Sequence, residues 1–466
     1  MSRRKHKYGP LSNLEITQFA AEGKCIARLD EQVVFIPFTA PGDIIDGQVT
    51  RKKKNYLEAR ATHFHQRSDL RIEPKCAHFS VCGGCKWQHI SYEEQLIQKE
   101  KQVINQLDKI GKVTPKKLLP IIGAPSEFEY RNKVELSFCH EGWIEDVTDK
   151  SVLKEPALGF HVPGRFDKVL NVEHCHLVNQ SVNDIIQYVG KFTKEQEIEH
   201  YNIRMHTGIL RNLIVRTSSL GGLMVILVVT EKTELIEELL ENLDEKFSEI
   251  SSLNFVINTK KNDTIFDLDV VRYSGDELLY DQIGDIKYKV RPKSFFQTNS
   301  TQVFHLYEAA LKLAQFNPSD VVYDLYTGTG SIALFMAKSV HKVVGIEILP
   351  QAIDDARENA KENGIDNCTF FVGDMKKAFT NELIAQEGKP DVIMVDPPRN
   401  GMDKEVIETL LTALPRQIIY ISCNPATQAR DLALLSESYE VELSQAIDMF
   451  PQTHHIENIV SLQLKR

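Results

Sequence analysis

From residue 304 onward the chain alternates helical and strand-like segments, and this alternation limits the fold more than any other feature. The apolar pattern predicts a helix to about residue 316, a strand at 321–325 and a helix at 331–339. A strand at 341–346, a helix at 350–363 and strands at 369–372, 392–395 and 417–422 follow, with a last strand at 459–464. Short apolar runs separated by helices read as parallel strands buried on both faces, each joined to the next by a crossover. The expectation is a doubly wound, parallel, Rossmann-like α/β sheet.

In such a sheet ligands bind outside the carboxyl ends of the strands, so the residues just after each strand matter most. The first strand runs into Asp324-Leu325-Tyr326-Thr327-Gly328-Thr329-Gly330-Ser331, a glycine-rich turn opening a helix. The same turn passes as a dinucleotide fingerprint, but that motif alone is weak. Asp324 decides between the two readings: a carboxylate there repels a pyrophosphate and suits the ammonium of S-adenosylmethionine. Glu347, ending the next strand, is placed to accept from ribose hydroxyls. Asp374, ending the third, is placed to meet an adenine amino group. Asp396-Pro397-Pro398-Arg399 and Cys423 follow two further apolar strands and open onto the same crevice. A thiolate is the strong nucleophile among side chains at neutral pH. Glu457, just before the last strand, is a candidate base.

The rest of the chain reads differently. Residues 9–67 carry short strands at 33–38, 44–51 and 56–63 around the turn Ala40-Pro41-Gly42-Asp43, which predicts a small closed barrel of the OB type. Its basic run Arg51-Lys52-Lys53-Lys54 ends at Tyr56, a combination suited to single-stranded nucleic acid, and four more cations lie in the first seven residues. Cys76, Cys82 and Cys85 stand close together, and Cys175 lies far from them. Four thiolates suit tetrahedral zinc or a cubic iron–sulfur cluster. The single C-x2-C pair favours the cluster. A helix is expected over 92–110, capped by Ser91 with Glu94 in a capping box and apolar at Leu96, Ile97, Val103, Ile104 and Leu107. Strands at 133–138, 212–217 and 223–229 with helices at 178–192 and 233–246 indicate a central α+β domain. The longest apolar run, 223–229, is too short to span a membrane, and no secretory signal is recognisable, so a cytoplasmic protein is expected. The net charge of −10 argues against a protein coated in nucleic acid, but charge placement matters more than the sum.

Taken together, these motifs resemble the RNA uracil-5-methyltransferase family, most closely its iron–sulfur branch acting on 23S ribosomal RNA. Ser294-Phe295-Phe296-Gln297-Thr298-Asn299, Asp324-Leu325-Tyr326, Asp396-Pro397-Pro398-Arg399, Ser422-Cys423-Asn424-Pro425 and His455-Ile456-Glu457 follow the family's catalytic motifs in order. The resemblance implies a TRAM barrel over 1–67, a central α+β domain with a 4Fe-4S site over 68–285, and a methyltransferase domain over 286–466. Residues 92–124 would pack on the catalytic domain. It implies Cys423 as nucleophile and Glu457 as base, with Gln297, Tyr326, Glu347, Asp374 and Asp396 at the methyl donor, S-adenosylmethionine. Cys76, Cys82, Cys85 and Cys175 would ligate the cluster, and Tyr130-Arg131-Asn132-Lys133 would touch RNA. Ser331 departs from the family's usual residue. A monomer acting on ribosomal RNA is implied; the alternatives are transfer RNA, or a nicotinamide-dependent iron–sulfur oxidoreductase.

Overall fold

The computed structural model describes residues 10–144 and 154–465; the cations of the first seven residues lie outside the described residues. The first five strands close into a barrel in the order Leu11–Phe19, Lys24–Leu29, Gln32–Pro37, Tyr56–Gln66, Ile44–Lys52. Alternation makes it: Leu14, Ile16, Val34, Ile36, Ile45, Val49 and Leu57 turn inward and form its core, and the polar residues between them face out. The barrel is fastened to the cysteine-bearing stretch by one buried ion pair. Arg71 donates from Nε to Asp43 Oδ1 (2.8 Å) and from Nη2 to Asp43 Oδ2 (2.7 Å), and Ala40 N and Ser68 N donate to the same carboxylate. Burial works to raise the Asp43 pKa, but the Arg71 guanidinium and the backbone N–H groups outweigh it and hold the carboxyl below its ordinary range.

The central sheet has seven strands, in the order Val271–Gly275, Ile250–Ile257, Leu223–Val229, Leu210–Thr217, Lys133–Cys139, Ala157–His161, Val169–Asn171. Helices Gln180–Glu195 and Glu234–Lys246, capped by Asn179 and Thr233, cover one face. Ile214, Met224, Ile226 and Val228 on the other face join the core of the C-terminal domain, so every residue of 223–229 is buried.

The C-terminal sheet has eight strands, in the order Cys368–Val372, Lys342–Glu347, Val321–Leu325, Val392–Val395, Gln417–Ser422, Glu457–Leu464, Tyr439–Ile447, Lys117–Ile122. The first five are parallel, but Glu457–Leu464 is antiparallel to both its neighbours. The all-parallel expectation is therefore corrected to a mixed sheet. The cause is the link between the last two strands, residues 448–456, which is a loop without a crossover helix and so returns the chain antiparallel. Strand Lys117–Ile122 adds to this sheet in parallel beside residues 443–447.

Helix Tyr92–Gln106 begins where Ser91 Oγ accepts from Glu94 N, but the Glu94 carboxylate takes a bond from Gln98, so only half of the capping box forms. The α-helix ends at Gln106 and a π-turn, Leu107–Gly111, replaces its expected last turn. Ile97 and Ile104 are 39% and 37% exposed, whereas Gln95 and Lys99 are fully buried. The apolar stripe expected from sequence is thus partly reversed. Val103 and Leu107 pack with Ala429 and Leu432 of helix Pro425–Leu435. Among the described residues no helix is long and apolar enough to cross a membrane.

Breaking the barrel latch leaves a buried carboxylate without its cation. Arg71→Ala is expected to cost about 3–5 kcal/mol at neutral pH. Because the folded Asp43 pKa is depressed, the pair's contribution is present above the ordinary aspartate value of about 3.9 and fades as pH falls through the folded value. Denaturant melts of wild type and variant should converge in acid; a gap that stays constant with pH refutes the assignment.

Candidate active site

The turn after strand Val321–Leu325 is held tightly. Tyr326 adopts φ 69°, and the N–H groups of Tyr326 and Thr327 both donate to Ile346 O. Gly328 follows at φ 55° with open space where a side chain would begin, so backbone there is accessible to a ligand. Glu347, at the end of the neighbouring strand, accepts from Gly328 N (3.2 Å) and Leu349 N (3.0 Å), which aims its carboxylate across the mouth of the turn. Asp374 abuts it: Gly373 N donates to Glu347 O, and Asp374 caps the short helix Met375–Ala378.

Asp324 lies beneath this turn at 1% exposure. Thr327 Oγ1 donates to its Oδ2 at 2.5 Å, while Oδ1 has no partner. Burial, joined by the charges of Asp396 and Glu347, pushes its carboxyl up to about 7 against the pull of Thr327. A buried carboxylate oxygen without a partner is costly and points to a missing donor. Ser331, opening the helix after the turn, is engaged by Tyr307, whose hydroxyl lies 2.8 Å from Ser331 Oγ.

On the other side of Asp396 lies the thiol. Cys423 follows strand Gln417–Ser422, and Ser422 is paired with Asn458. One residue further in each direction brings Cys423 level with Glu457, which is the first residue of the last strand and not just ahead of it. The loop carrying Asp396 is fixed to the same place, because Asn424 Nδ2 and Thr427 Oγ1 both donate to Arg399 O. Burial, then the Glu457 and Asp396 charges, push the Cys423 thiol up to about 11, while Arg399 opposes them. Burial and Asp396 also raise Glu457 well above the ordinary carboxyl range. Asp396 is raised to about 7 by burial.

Cys423, Glu457 and Asp396 therefore share one crevice, with Arg399 the cation opposing their effect on the thiol. Asp324, Tyr326, Glu347 and Asp374 form its other lobe, and Asp396 touches both by charge. Gln297 is tied to the central domain through its carbonyl, which accepts from Asn132 Nδ2 at 2.9 Å. Motif reading gave Thr327 and Arg399 no individual role; their signal is only their place beside Asp324 and Asp396.

Cys76, Cys82, Cys85 and Cys175 lie close enough to act on one another by charge. Burial raises each thiol; Cys82 is pushed up to about 11, with Cys175 and Cys76 adding to the effect. Cys85 reaches about 12 under burial with Cys175, Cys82 and Cys76. Gly84 N donates to Cys82 Sγ at 3.4 Å, and Asn183 grips Cys175 through both its N–H and its carbonyl. None of the four is in a disulfide. Among the described residues no group of three or more His, Cys, Asp or Glu side chains stands in metal-holding geometry. His78 Nε2 accepts from Glu173 N, and His174 stacks edge-on to His176 at 4.5 Å.

Known proteins agree with this architecture. The family model described as tRNA (uracil-5-)-methyltransferase matches residues 91–465, and a TRAM domain model matches 12–62. An uncharacterised RNA methyltransferase of Bacteroides thetaiotaomicron is 47% identical over 96% of this chain and 100% of its own. One from Porphyromonas gingivalis is 46% identical over 96% and 99%. The crystal structure of Pyrococcus abyssi tRNA (uracil-54, C5)-methyltransferase in complex with S-adenosyl-L-homocysteine superposes with a TM-score of 0.76 at 26% identity, covering 96% of this chain and 100% of that one.

The crevice charges have a direct chemical readout. Alkylation of Cys423 by iodoacetamide should keep accelerating with pH up to about 11. Glu457→Gln should move that profile down, with about tenfold faster alkylation at fixed pH for each pKa unit lost. Identical profiles near the ordinary thiol value of about 8.5 in both proteins would overturn the geometry.

Proposed function

The chain belongs to the tRNA (uracil-5-)-methyltransferase family and is an S-adenosylmethionine-dependent RNA uracil-5-methyltransferase, and we propose that it modifies a uridine of large-subunit ribosomal RNA with Cys423 as nucleophile and Glu457 as base. The observation that carries the catalytic assignment is the register of the last strand, which sets Glu457 level with Cys423 beside Asp396.

The donor lobe fits S-adenosylmethionine. The unpartnered Oδ1 of buried Asp324 suits the ammonium, Glu347 the ribose hydroxyls and Asp374 the adenine amino group, and Gln297 and Tyr326 frame the site. The donor supplies an electrophilic methyl group on a sulfonium.

C5 of uracil is too weak a nucleophile to take that methyl unaided. The Cys423 thiolate adds to C6, pushing the C5–C6 electron pair into an enolate and making C5 carbanion-like; one hard step becomes two easier ones. Burial and two carboxyls disfavour the thiolate while Arg399 favours it, so the thiol must give up its proton for the attack on C6. After C5 has taken the methyl, Glu457 removes the C5 proton. The electrons return to the C5–C6 bond and the Cys423 sulfur leaves. A carboxyl whose pKa is raised by burial is a stronger base than an exposed one, and such help is worth about 10²–10⁴ in rate. A stacked uridine reaches the crevice only when swung out of its helix, at a few kcal/mol.

The barrel and the four cysteines support a ribosomal substrate. In number and type the four thiols match the ligands of a 4Fe-4S cluster, and Gly84 N donates to Cys82 Sγ, although among the described residues they do not stand in metal-holding geometry. Such a cluster, held by Cys76, Cys82, Cys85 and Cys175, would brace the stretch between the barrel and the catalytic domain. Whole-length similarity to the Pyrococcus abyssi tRNA (uracil-54, C5)-methyltransferase favours transfer RNA as the second reading.

Labelled S-adenosylmethionine incubated with total RNA tests both. Label should map to C5 of a uridine in large-subunit ribosomal RNA; label in transfer RNA selects the second reading. Wild type should form a denaturation-stable adduct with 5-fluorouridine RNA, and Cys423→Ser should form none. Methylation by Cys423→Ser at the wild-type rate sinks the mechanism. Anaerobically purified protein should hold about four irons per chain with equal sulfide. Cys175→Ala should lose them and bind RNA less well while still binding S-adenosylmethionine; a metal-free wild type rejects the cluster.

A further inference from the structure

In the loop leading into Glu457, residues 448–456, each of the first five residues bonds outward. Asp448 and Lys99 form an ion pair at 2.6 Å with both side chains fully buried, and Lys99 Nζ also donates to Phe450 O. Asn299 Nδ2 donates to Met449 O, and Tyr130 OH to Pro451 O. The densest node is Gln452, a buried residue at φ 67°, a conformation that non-glycine residues adopt only when their surroundings impose it.

All four polar groups of Gln452 are engaged. Its carbonyl accepts from Lys86 N (2.9 Å) and Trp87 N (3.1 Å). Its N–H donates to Gln95 Oε1 (2.9 Å), and its Oε1 accepts from Gln95 Nε2 (3.0 Å). Its Nε2 donates to Glu127 Oε2. Gln95 Nε2 also donates to Trp87 O and Ile90 O, so one amide clamps both the loop and the cysteine-bearing stretch. Lys86 and Trp87 directly follow Cys85. Trp87 is 1% exposed, and its ring packs edge-on against Phe19 of the barrel at 5.9 Å.

We infer that Gln452 is a positioning residue for Glu457, through which the Cys85–Trp87 stretch sets the base against Cys423. The inference rests on the assignment of Glu457 as base. The loop is covalently continuous with the strand that begins at Glu457, and its left-handed turn at Gln452 is imposed by the bonds from Lys86 and Trp87. The Gln452 side-chain bonds to Gln95 and Glu127 steady that turn, and their loss lets it relax and withdraws the Glu457 carboxyl from the thiol. Gln452 itself touches neither substrate nor reacting atoms.

The test uses the full chain with Gln452→Ala, Gln95→Ala, Glu457→Gln and the Glu457→Gln/Gln452→Ala pair. Gln452→Ala should lower kcat at least about tenfold, within the range of base removal, and leave KM for RNA and for S-adenosylmethionine within about threefold. It should also shift the Cys423 alkylation profile downward in pH, as Glu457→Gln does; a merely structural loss would not move it. The paired variant should be no slower than Glu457→Gln alone, since coupled groups are not additive. Gln95→Ala, which like Gln452→Ala keeps the backbone bonds from Lys86 and Trp87 but also keeps the Gln452–Glu127 bond, should give a smaller version of the same signature and decides the matter if Gln452→Ala does not fold. Unshifted alkylation, fully multiplicative losses, or unfolding of both variants overturns the inference. Full activity of Glu457→Gln instead removes the base assignment, so the two failures are distinct.

Discussion

The antiparallel insertion of Glu457–Leu464 beside Gln417–Ser422 is the constraint on which the catalytic site depends. Five parallel strands place their carboxyl ends on one edge, and this alone collects Asp324, Glu347, Asp396 and Cys423. A sixth parallel strand would have begun at the opposite edge and carried Glu457 away from them. Reversal puts the amino-terminal residue of the strand at the crevice instead. Register then does the rest, because a slip of one residue would turn Glu457 to the other face of the sheet.

Reversal has an electrostatic cost that the site uses. Asp324 and Glu457 are buried and Asp396 between them is half-buried; Asp396 repels both, and all three are held above the ordinary carboxyl pKa. An arrangement of this kind is not made for stability. Like-charge carboxyls in a low-dielectric crevice share protons and titrate together, and perturbed groups gather where chemistry is done. The stability needed to hold them is supplied by the apolar strands on either side, while Lys99 and Asp448 make a fully buried pair beneath the loop. The desolvation of such a pair offsets much of its attraction, so its value lies in fixing where the loop goes.

Much of this is legible in sequence, for reasons that differ between elements. Strands 321–325, 392–395 and 417–422 are apolar runs buried on both faces, and their ends can be read to within a residue. The residues that follow them are therefore placed at the crevice by the sheet alone. The barrel's first strand, Leu11–Phe19, is harder, because only three of its nine residues are buried and a bulge interrupts its alternation. Helix Tyr92–Gln106 misleads: Ile97 and Ile104 are partly exposed while Lys99 is buried, because its partner Asp448 stands 349 residues away. Gln452 carries no compositional signal at all. A glutamine in a loop looks like a solvent contact, and only the folded chain shows five bonds converging on it. Sequence periodicity reports local burial; it is silent on pairs assembled across the whole chain.

Strand Lys117–Ile122 has a consequence for biosynthesis. Its partner, residues 443–447, leaves the ribosome last of all the sheet strands except the final one. During synthesis the early strand waits with an unpaired edge while more than half the chain emerges, a hazard for mispairing between nascent copies. Lys117 and Pro120 in its short sequence are the kind of residues that discourage such contacts. Completion of this sheet is then tied to the arrival of residues 443–447, and a chain that stops short of them leaves the edge of the early strand unpaired.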